Sequence, residues 1–265
     1  MANEGRQMRP SRVLRKLRAG EVANCMKLNL ADPRVVEIAA MSDFDCVWLD
    51  MEHVPNTLAA MENQIRAAKM FDVDTLVRVQ RGSYSDLIHP LEADAAGIMV
   101  PHLMSLEQAR EIAWRTRFHP VGRRPIDGGN ADGAYCKIAL DDYVRQANEQ
   151  RFVIVQIEDP EPLDELDEIA QVEGIDMIFF GPGDFSQGIG APGQWDDPRI
   201  ADTRKRVADV ALKHGKFAGT VGSPANAREL VDMGYKFISI GADVVALSQY
   251  FDNMATAFRQ EITKT

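Results

Sequence analysis

Residues 152–190 read FVIVQIEDPEPLDELDEIAQVEGIDMIFFGPGDFSQGIG. Two apolar runs stand out, 152–157 and 177–180, each the length of a buried strand. Gln156 and Glu158 close the first run, and Gly181, Pro182, Gly183 and Asp184 close the second. Between them, residues 162–173 carry Leu163, Leu166, Ile169 and Ala170 on one helical stripe. This is a strand–helix–strand unit with a carboxylate at the exit of each strand. If the strands are parallel neighbours, Glu158 and Asp184 sit side by side at the carboxyl end of a sheet, where α/β folds place their chemistry.

The same unit repeats outward. Further strands are predicted at 21–28, 45–50, 74–80, 97–101, 216–221 and 236–240. Helices are predicted at 11–19, from Asp32-Pro33, from Asn56/Thr57 to Met70, and at 84–93, 106–117, 141–149, 197–214, 224–233 and 243–263. Asp32 is an N-cap residue with Pro33 in the first turn, and Ser105 caps the helix after it. The strands are mainly apolar rather than alternating, as strands buried on both faces are. Eight strands, each followed by a helix, predict an α/β fold of the (β/α)8 barrel kind, one domain over 1–265. An open doubly wound sheet is disfavoured, because no Gly-rich dinucleotide turn follows the first strand. One long irregular stretch, 118–140, is rich in Gly, Pro, Arg and Asp and reads as an active-site or subunit-contact loop.

Composition narrows the function. The chain has 265 residues, 45% of them hydrophobic, enough for one large core. Its formal charge of −10 argues against nucleic acid as a partner, since phosphate neutralisation needs a basic face. The basic N-terminus lacks the apolar core of a secretory signal, and no run approaches the roughly 20 apolar residues of a membrane span. Cys25, Cys46 and Cys136 are odd in number and scattered, which points to free thiols in a reducing cytoplasm.

In a barrel the carboxyl ends of strands read as catalytic. Those ends hold Asp50, Glu52, His53, Arg78, His102, Gln156, Glu158 and Asp184. Gln156 and Glu158 are two apart and share a face. Two neighbouring carboxylates resist ionising together unless a cation lies between them, and a hard divalent ion suits that; capping of the following turns is the other reading of both. His53 is the general-base candidate, with Asp50 close enough in sequence to orient it. Arg78 ends an apolar strand, where a guanidinium needs an anion, either a substrate or an Asp. His102 has no obvious partner and reads as structural. The glycines of GPGDF could offer backbone N–H groups to a phosphate or a carboxylate, or form a plain turn.

The blocks WLDMEHVPNT (48–57), LVRV (76–79), GIMVPHL (97–103), VQIE (155–158), FFGPGDFSQGIG (179–190) and ISIGADVVAL (238–247) together resemble the HpcH/HpaI aldolases, metal-dependent class II aldolases of pyruvate type. The resemblance runs from about residue 20 to the last helix. It implies a (β/α)8 barrel, assembled as a hexamer with the C-terminal helix exchanged between subunits. It also implies a divalent ion, foremost Mg2+ with Mn2+ or Co2+ as alternatives, held by Glu158 and Asp184. His53 matches the family's base and Arg78 its enolate-stabilising arginine; Gln156, Gly183 and Asp184 match positions that contact the pyruvate-like moiety. Two departures stand out. Glu92 occupies the place of an Asp that supports the histidine, so it is carried as a catalytic residue with one methylene more. The family's G-x-R-G is Gly122-Arg123-Arg124-Pro125 here, and Pro125 has no N–H and a fixed φ.

The activity implied is reversible cleavage of a 4-hydroxy-2-oxo acid to pyruvate, or a related 2-oxo acid, and an aldehyde. The same enolate site would also serve oxaloacetate decarboxylation or cleavage of an acyl-CoA, for which Arg123 and Arg124 are a weak hint. A Schiff-base mechanism needs a lysine at a strand exit, and Lys27 is the candidate by position. A non-catalytic binding barrel is the remaining reading, against which stands the cost of so many polar groups at strand exits without a ligand.

Overall fold

The computed structural model describes residues 5–264. Eight parallel strands close into a barrel in sequence order: β1 (Ala23–Leu28), β2 (Cys46–Asp50), β3 (Asp74–Arg78), β4 (Gly97–Val100), β5 (Phe152–Ile157), β6 (Met177–Phe180), β7 (Phe217–Gly222) and β8 (Phe237–Ala242). The predicted (β/α)8 architecture is therefore the observed one.

Strand alternation sorts the core into two shells. Residues pointing outward, among them Val47, Leu49, Val77, Ile98, Val153, Val155 and Ile178, pack under the surrounding helices. Inward residues, among them Cys25, Cys46, Trp48, Leu76, Met99, Ile154, Phe179 and Phe237, fill the interior. Large side chains need small neighbours in so narrow a space. A Cβ on Gly97 would lie 2.2 Å from the Phe152 ring, and one on Gly219 would lie 2.7 Å from Phe179. The helix Arg12–Arg18 plugs the amino-terminal end of the barrel with Val13, Leu14 and Leu17. It is tied there by Ser11, whose Oγ donates to Asp74 Oδ2 at 2.5 Å, and by Arg12 and Lys16 on Asp45.

The elements depart from the sequence reading in two places. The helix expected over 162–173 is a 3-10 turn, Glu161–Glu165, followed by a short α-helix, Leu166–Ile169. Pro160 and Pro162 remove backbone donors, and Glu161, Asp164, Glu165 and Glu168 repel one another at helical spacing. The GPGDF segment is not a plain turn: it opens a seven-residue helix, Pro182–Gly188.

The last helix, Asp243–Ile262, packs on the barrel only at its start. Asp243 accepts N–H bonds from Asn29 and Leu30 and is the helix's one buried residue. Beyond it Tyr250, Phe251, Met254, Phe258 and Ile262 all stand exposed. Among the described residues, no helix is long and apolar enough to cross a membrane.

Candidate active site

The register of β2 on β3 places Asp50 opposite Arg78, both at strand exits and pointing inward. The guanidinium grips the carboxylate with two bonds, Nε to Oδ1 at 3.1 Å and Nη2 to Oδ2 at 2.6 Å. Lys27, inward at the end of β1, reaches Asp50 Oδ2 at 3.0 Å. Burial works against ionisation of Asp50, but the hydrogen bonds and charges of Arg78 and Lys27 hold its pKa well below the usual carboxylate range. The Trp48 ring underlies both cations, with Lys27 Nζ 5.4 Å and Arg78 Cζ 4.8 Å from its centroid. Glu52 adds a further contact, Oε2 to Arg78 Nε at 3.1 Å.

Across the mouth, Glu158 follows the end of β5 and is 1% exposed. Its Oε1 accepts the backbone N–H of His102 at 2.9 Å, and its Oε2 accepts from Gln156 Nε2 at 2.8 Å. Burial is the largest influence on Glu158 and, with the nearby Asp184 carboxylate, pushes its pKa up to about 7 against the pull of His102 and Arg78. A carboxylate this buried lacks a full counter-charge. Gln156 Oε1 is buried without a hydrogen-bond partner. Gly183 and Asp184 lie in the first turn of the helix Pro182–Gly188, where backbone N–H groups have no partner within the helix. Lys27, Trp48, Arg78, Gln156, Glu158, Gly183 and Asp184 thus converge on one cavity of about 260 Å³.

His102 is the residue that sequence reading undervalued. Its ring Nδ1 lies 2.8 Å from Asp159 Oδ2, and its Nε2 lies 3.6 Å from Glu52 Oε1. Burial lowers its pKa, but the Asp159 hydrogen bond and the charges of Glu158, Asp159 and Glu52 outweigh this and raise it. One ligand atom each from His102, Glu158 and Asp184 lie within 4.8 Å of one another, a group able to hold a metal ion. Lys27, the Schiff-base candidate by position, also lines this cavity. The inward alternation of Ala23, Cys25 and Lys27 on β1 was the signal for its place in the cavity.

Three expectations need correction. Asp50 does not orient the His53 ring. It accepts from the backbone N–H groups of Glu52 and His53 and spends its remaining capacity on Arg78 and Lys27, while the carboxylate nearest the ring is Glu52, 3.6 Å from Nε2. His53 sits on the rim with its side chain 54% exposed. Glu92 is not brought beside His53 within the chain. It ends the helix Tyr84–Glu92, which runs back from the exit of β3 toward the start of β4, so it lies at the opposite end of the barrel. Its charged neighbours there are Arg124, Asp132, His89 and Asp127, and burial raises its pKa. The loop 118–140 also belongs to that amino-terminal end, because it follows a helix rather than a strand. Phe118, Ile138 and Tyr143 pack together there. Arg124 is buried against Asp132 at 2.8 Å, and Arg123 stacks on Trp114. The loop is not an active-site loop of its own chain, and neither arginine is placed to bind a nucleotide at the cavity.

A closed parallel barrel with cations and carboxylates converging at its strand exits defines a barrel enzyme. The pattern of the HpcH/HpaI aldolase/citrate lyase family matches residues 25–249, and the chain belongs to that family. It is a carbon–carbon lyase of the aldolase kind. A 2-keto-3-deoxy-L-rhamnonate aldolase of Shigella sonnei (strain Ss046) is 31% identical over 249 residues, 92% of this chain and 91% of the relative. A hydroxypyruvate/pyruvate aldolase of Delftia acidovorans (strain DSM 14801 / SPH-1) is 33% identical over 234 residues, 88% of this chain and 87% of the relative. Among solved structures, citrate synthase SbnG superposes with a TM-score of 0.87 at 29% identity, over 94% of this chain and 98% of that one.

Proposed function

We propose that this enzyme reversibly cleaves a 4-hydroxy-2-oxo acid to pyruvate, or a related 2-oxo acid, and an aldehyde, with a divalent ion at Glu158 and Asp184. The carrying observation is the buried Glu158 beside Asp184, facing Arg78 across one cavity. The donor set fits a divalent ion: Glu158 is under-neutralised, Asp184 is close by, and oxygen donors suit Mg2+, Mn2+ or Co2+. When bound, the ion supplies Lewis-acid polarisation of the substrate carbonyl.

The chain's own groups do the rest. The N–H groups of Gly183 and Asp184 receive the substrate carboxylate, and the Gln156 amide lines the same pocket. His53 takes the proton of the C4 hydroxyl at an imidazole nitrogen. The C4–O electrons form the aldehyde carbonyl as the C3–C4 bond breaks, and its pair moves into the enolate of pyruvate, which takes a proton from water at C3 to give pyruvate. Arg78, preset by Asp50, faces the oxygen on which that charge develops. Lys27 does not favour a Schiff base, because its nitrogen is engaged by Asp50. We read residues 1–265 as one barrel domain in a cytoplasmic enzyme. The apolar side chains left exposed along Asp243–Ile262 support a helix exchanged between subunits of a hexamer.

The test is pyruvate release from a panel of 4-hydroxy-2-oxo acids, before and after stripping with a chelator. Release that stops on stripping and returns with Mg2+, Mn2+ or Co2+ is expected. Cleavage untouched by the chelator removes the metal from the scheme, and no release from any member of the panel removes the aldolase reading.

Gly181 offers a sharper probe of the same site. A Cβ there would lie 2.5 Å from Glu158 Oε2 and 2.9 Å from its Cβ. Gly181→Ala is therefore expected to displace Glu158 and weaken divalent-ion binding by about tenfold or more, read by titration calorimetry. An unchanged affinity would show that Glu158 is not a ligand in this position.

A further inference from the structure

We propose that His102 is a third ligand of this metal ion and gives the site a nitrogen donor that shifts its preference from Mg2+ toward Mn2+, Co2+ or Zn2+. The inference rests on the metal reading above and adds to it.

His102 stands where a ligand would have to stand. A nitrogen of its ring and one oxygen each of Glu158 and Asp184 fall within 4.8 Å of one another. Its backbone is locked to the same group, since its N–H donates to Glu158 Oε1 at 2.9 Å. That backbone has φ +49°, a left-handed conformation uncommon for residues other than glycine.

The ring also has a carboxylate beside each of its nitrogens. Asp159 Oδ2 lies 2.8 Å from Nδ1. That same Nδ1 is the ring nitrogen that faces the site, 3.9 Å from Glu158 Oε1, so an ion held there would take the Nδ1 lone pair in place of the Asp159 contact. The proton would then sit on Nε2, 3.6 Å from Glu52 Oε1, a carboxylate behind the ring as metal-bound imidazoles have. Glu52, Glu158, Asp159 and Asp184 surround this corner with negative charge, whereas Lys27 is engaged by Asp50 on the other side of the cavity.

A nitrogen donor alters selectivity for a general reason. Mg2+ takes oxygen ligands and keeps its waters, while imidazole suits the later first-row ions and zinc. Two carboxylates alone discriminate weakly among these ions, and an imidazole added to them does not help Mg2+.

The experiment uses the full chain, stripped of metal and titrated with Mn2+ and Mg2+, with pulsed electron paramagnetic resonance on the Mn2+ form. A 14N modulation is expected that becomes a 15N coupling on labelling with 15N-histidine, survives His53→Gln and vanishes in His102→Gln. His102→Gln is expected to weaken Mn2+ binding by about 10- to 100-fold and to leave Mg2+ binding within about threefold. Mn2+ bound to the parent protein without histidine coupling overturns the inference and leaves the two-carboxylate metal site standing. Absence of any Mn2+ or Mg2+ binding overturns both. Should His102→Gln fail to fold, the 15N-histidine spectra of the parent and of His53→Gln decide the matter alone.

Discussion

Arg78→Lys is expected to lower kcat/KM for 2-oxo acid cleavage by about 10²- to 10³-fold, the usual loss when one preorganised donor to a developing oxyanion is removed. Arg78 holds Asp50 with two nitrogens, contacts Glu52 and lies over Trp48. A lysine keeps the charge but not the planar fork. It can answer Asp50 or face the cavity, not both. The loss should fall on kcat more than on KM, because the charge on the enolate oxygen develops after binding. Arg78→Ala is a poorer test, since it leaves a buried Asp50 with only Lys27 and should also cost about 3 kcal/mol or more of stability. Steady-state kinetics with a thermal melt separate the two effects. Full activity in Arg78→Lys would mean that the guanidinium is only a structural partner of Asp50.

Glu158→Gln is expected to lower activity by about a thousandfold or more, the scale of several kcal/mol of Lewis-acid stabilisation. It should also change how stability depends on pH. In the metal-free fold the Glu158 carboxyl titrates near 7, raised from 4.5 mainly by burial. Between those values the folded chain holds a proton that the unfolded chain has released. Stability of the metal-free protein therefore falls as pH rises from about 4.5 to about 7. Glutamine does not titrate, so this contribution disappears from Glu158→Gln. Melts in chelator at pH 5 and pH 8 should show the parent losing more stability than the variant across that interval. Saturating divalent ion should remove the difference by giving the carboxylate its counter-charge. Parallel slopes in chelator would mean that Glu158 ionises at its ordinary pH.

Much of the candidate site was legible in the sequence. Glu158 and Asp184 follow consecutive apolar strands, and parallel neighbours bring strand exits together. Arg78 and Gln156 follow from counting in twos. Lys27 and Trp48 obey the same count and were within reach of it. His102 was not, because it lies beyond Pro101 with a left-handed backbone, where strand alternation no longer says which way a side chain points. Glu92 stands apart from His53 within the chain for a different reason. The resemblance tied it to His53, while the direction of the helix that it ends carries it to the other end of the barrel.

The order of strands and helices, their apolar faces and the end of the barrel that carries the polar groups were determined by the sequence alone. These depend on local periodicity and on the hydrophobic effect, and both can be read within a dozen residues. Only the tertiary structure decided the pairings: Asp50 with Arg78 and Lys27 rather than with His53, His102 with Asp159 and Glu158, and Arg124 with Asp132 away from the cavity. A buried charge takes whichever counter-charge the register of distant strands sets within a few ångströms, and that register is a property of the closed barrel, not of any one segment.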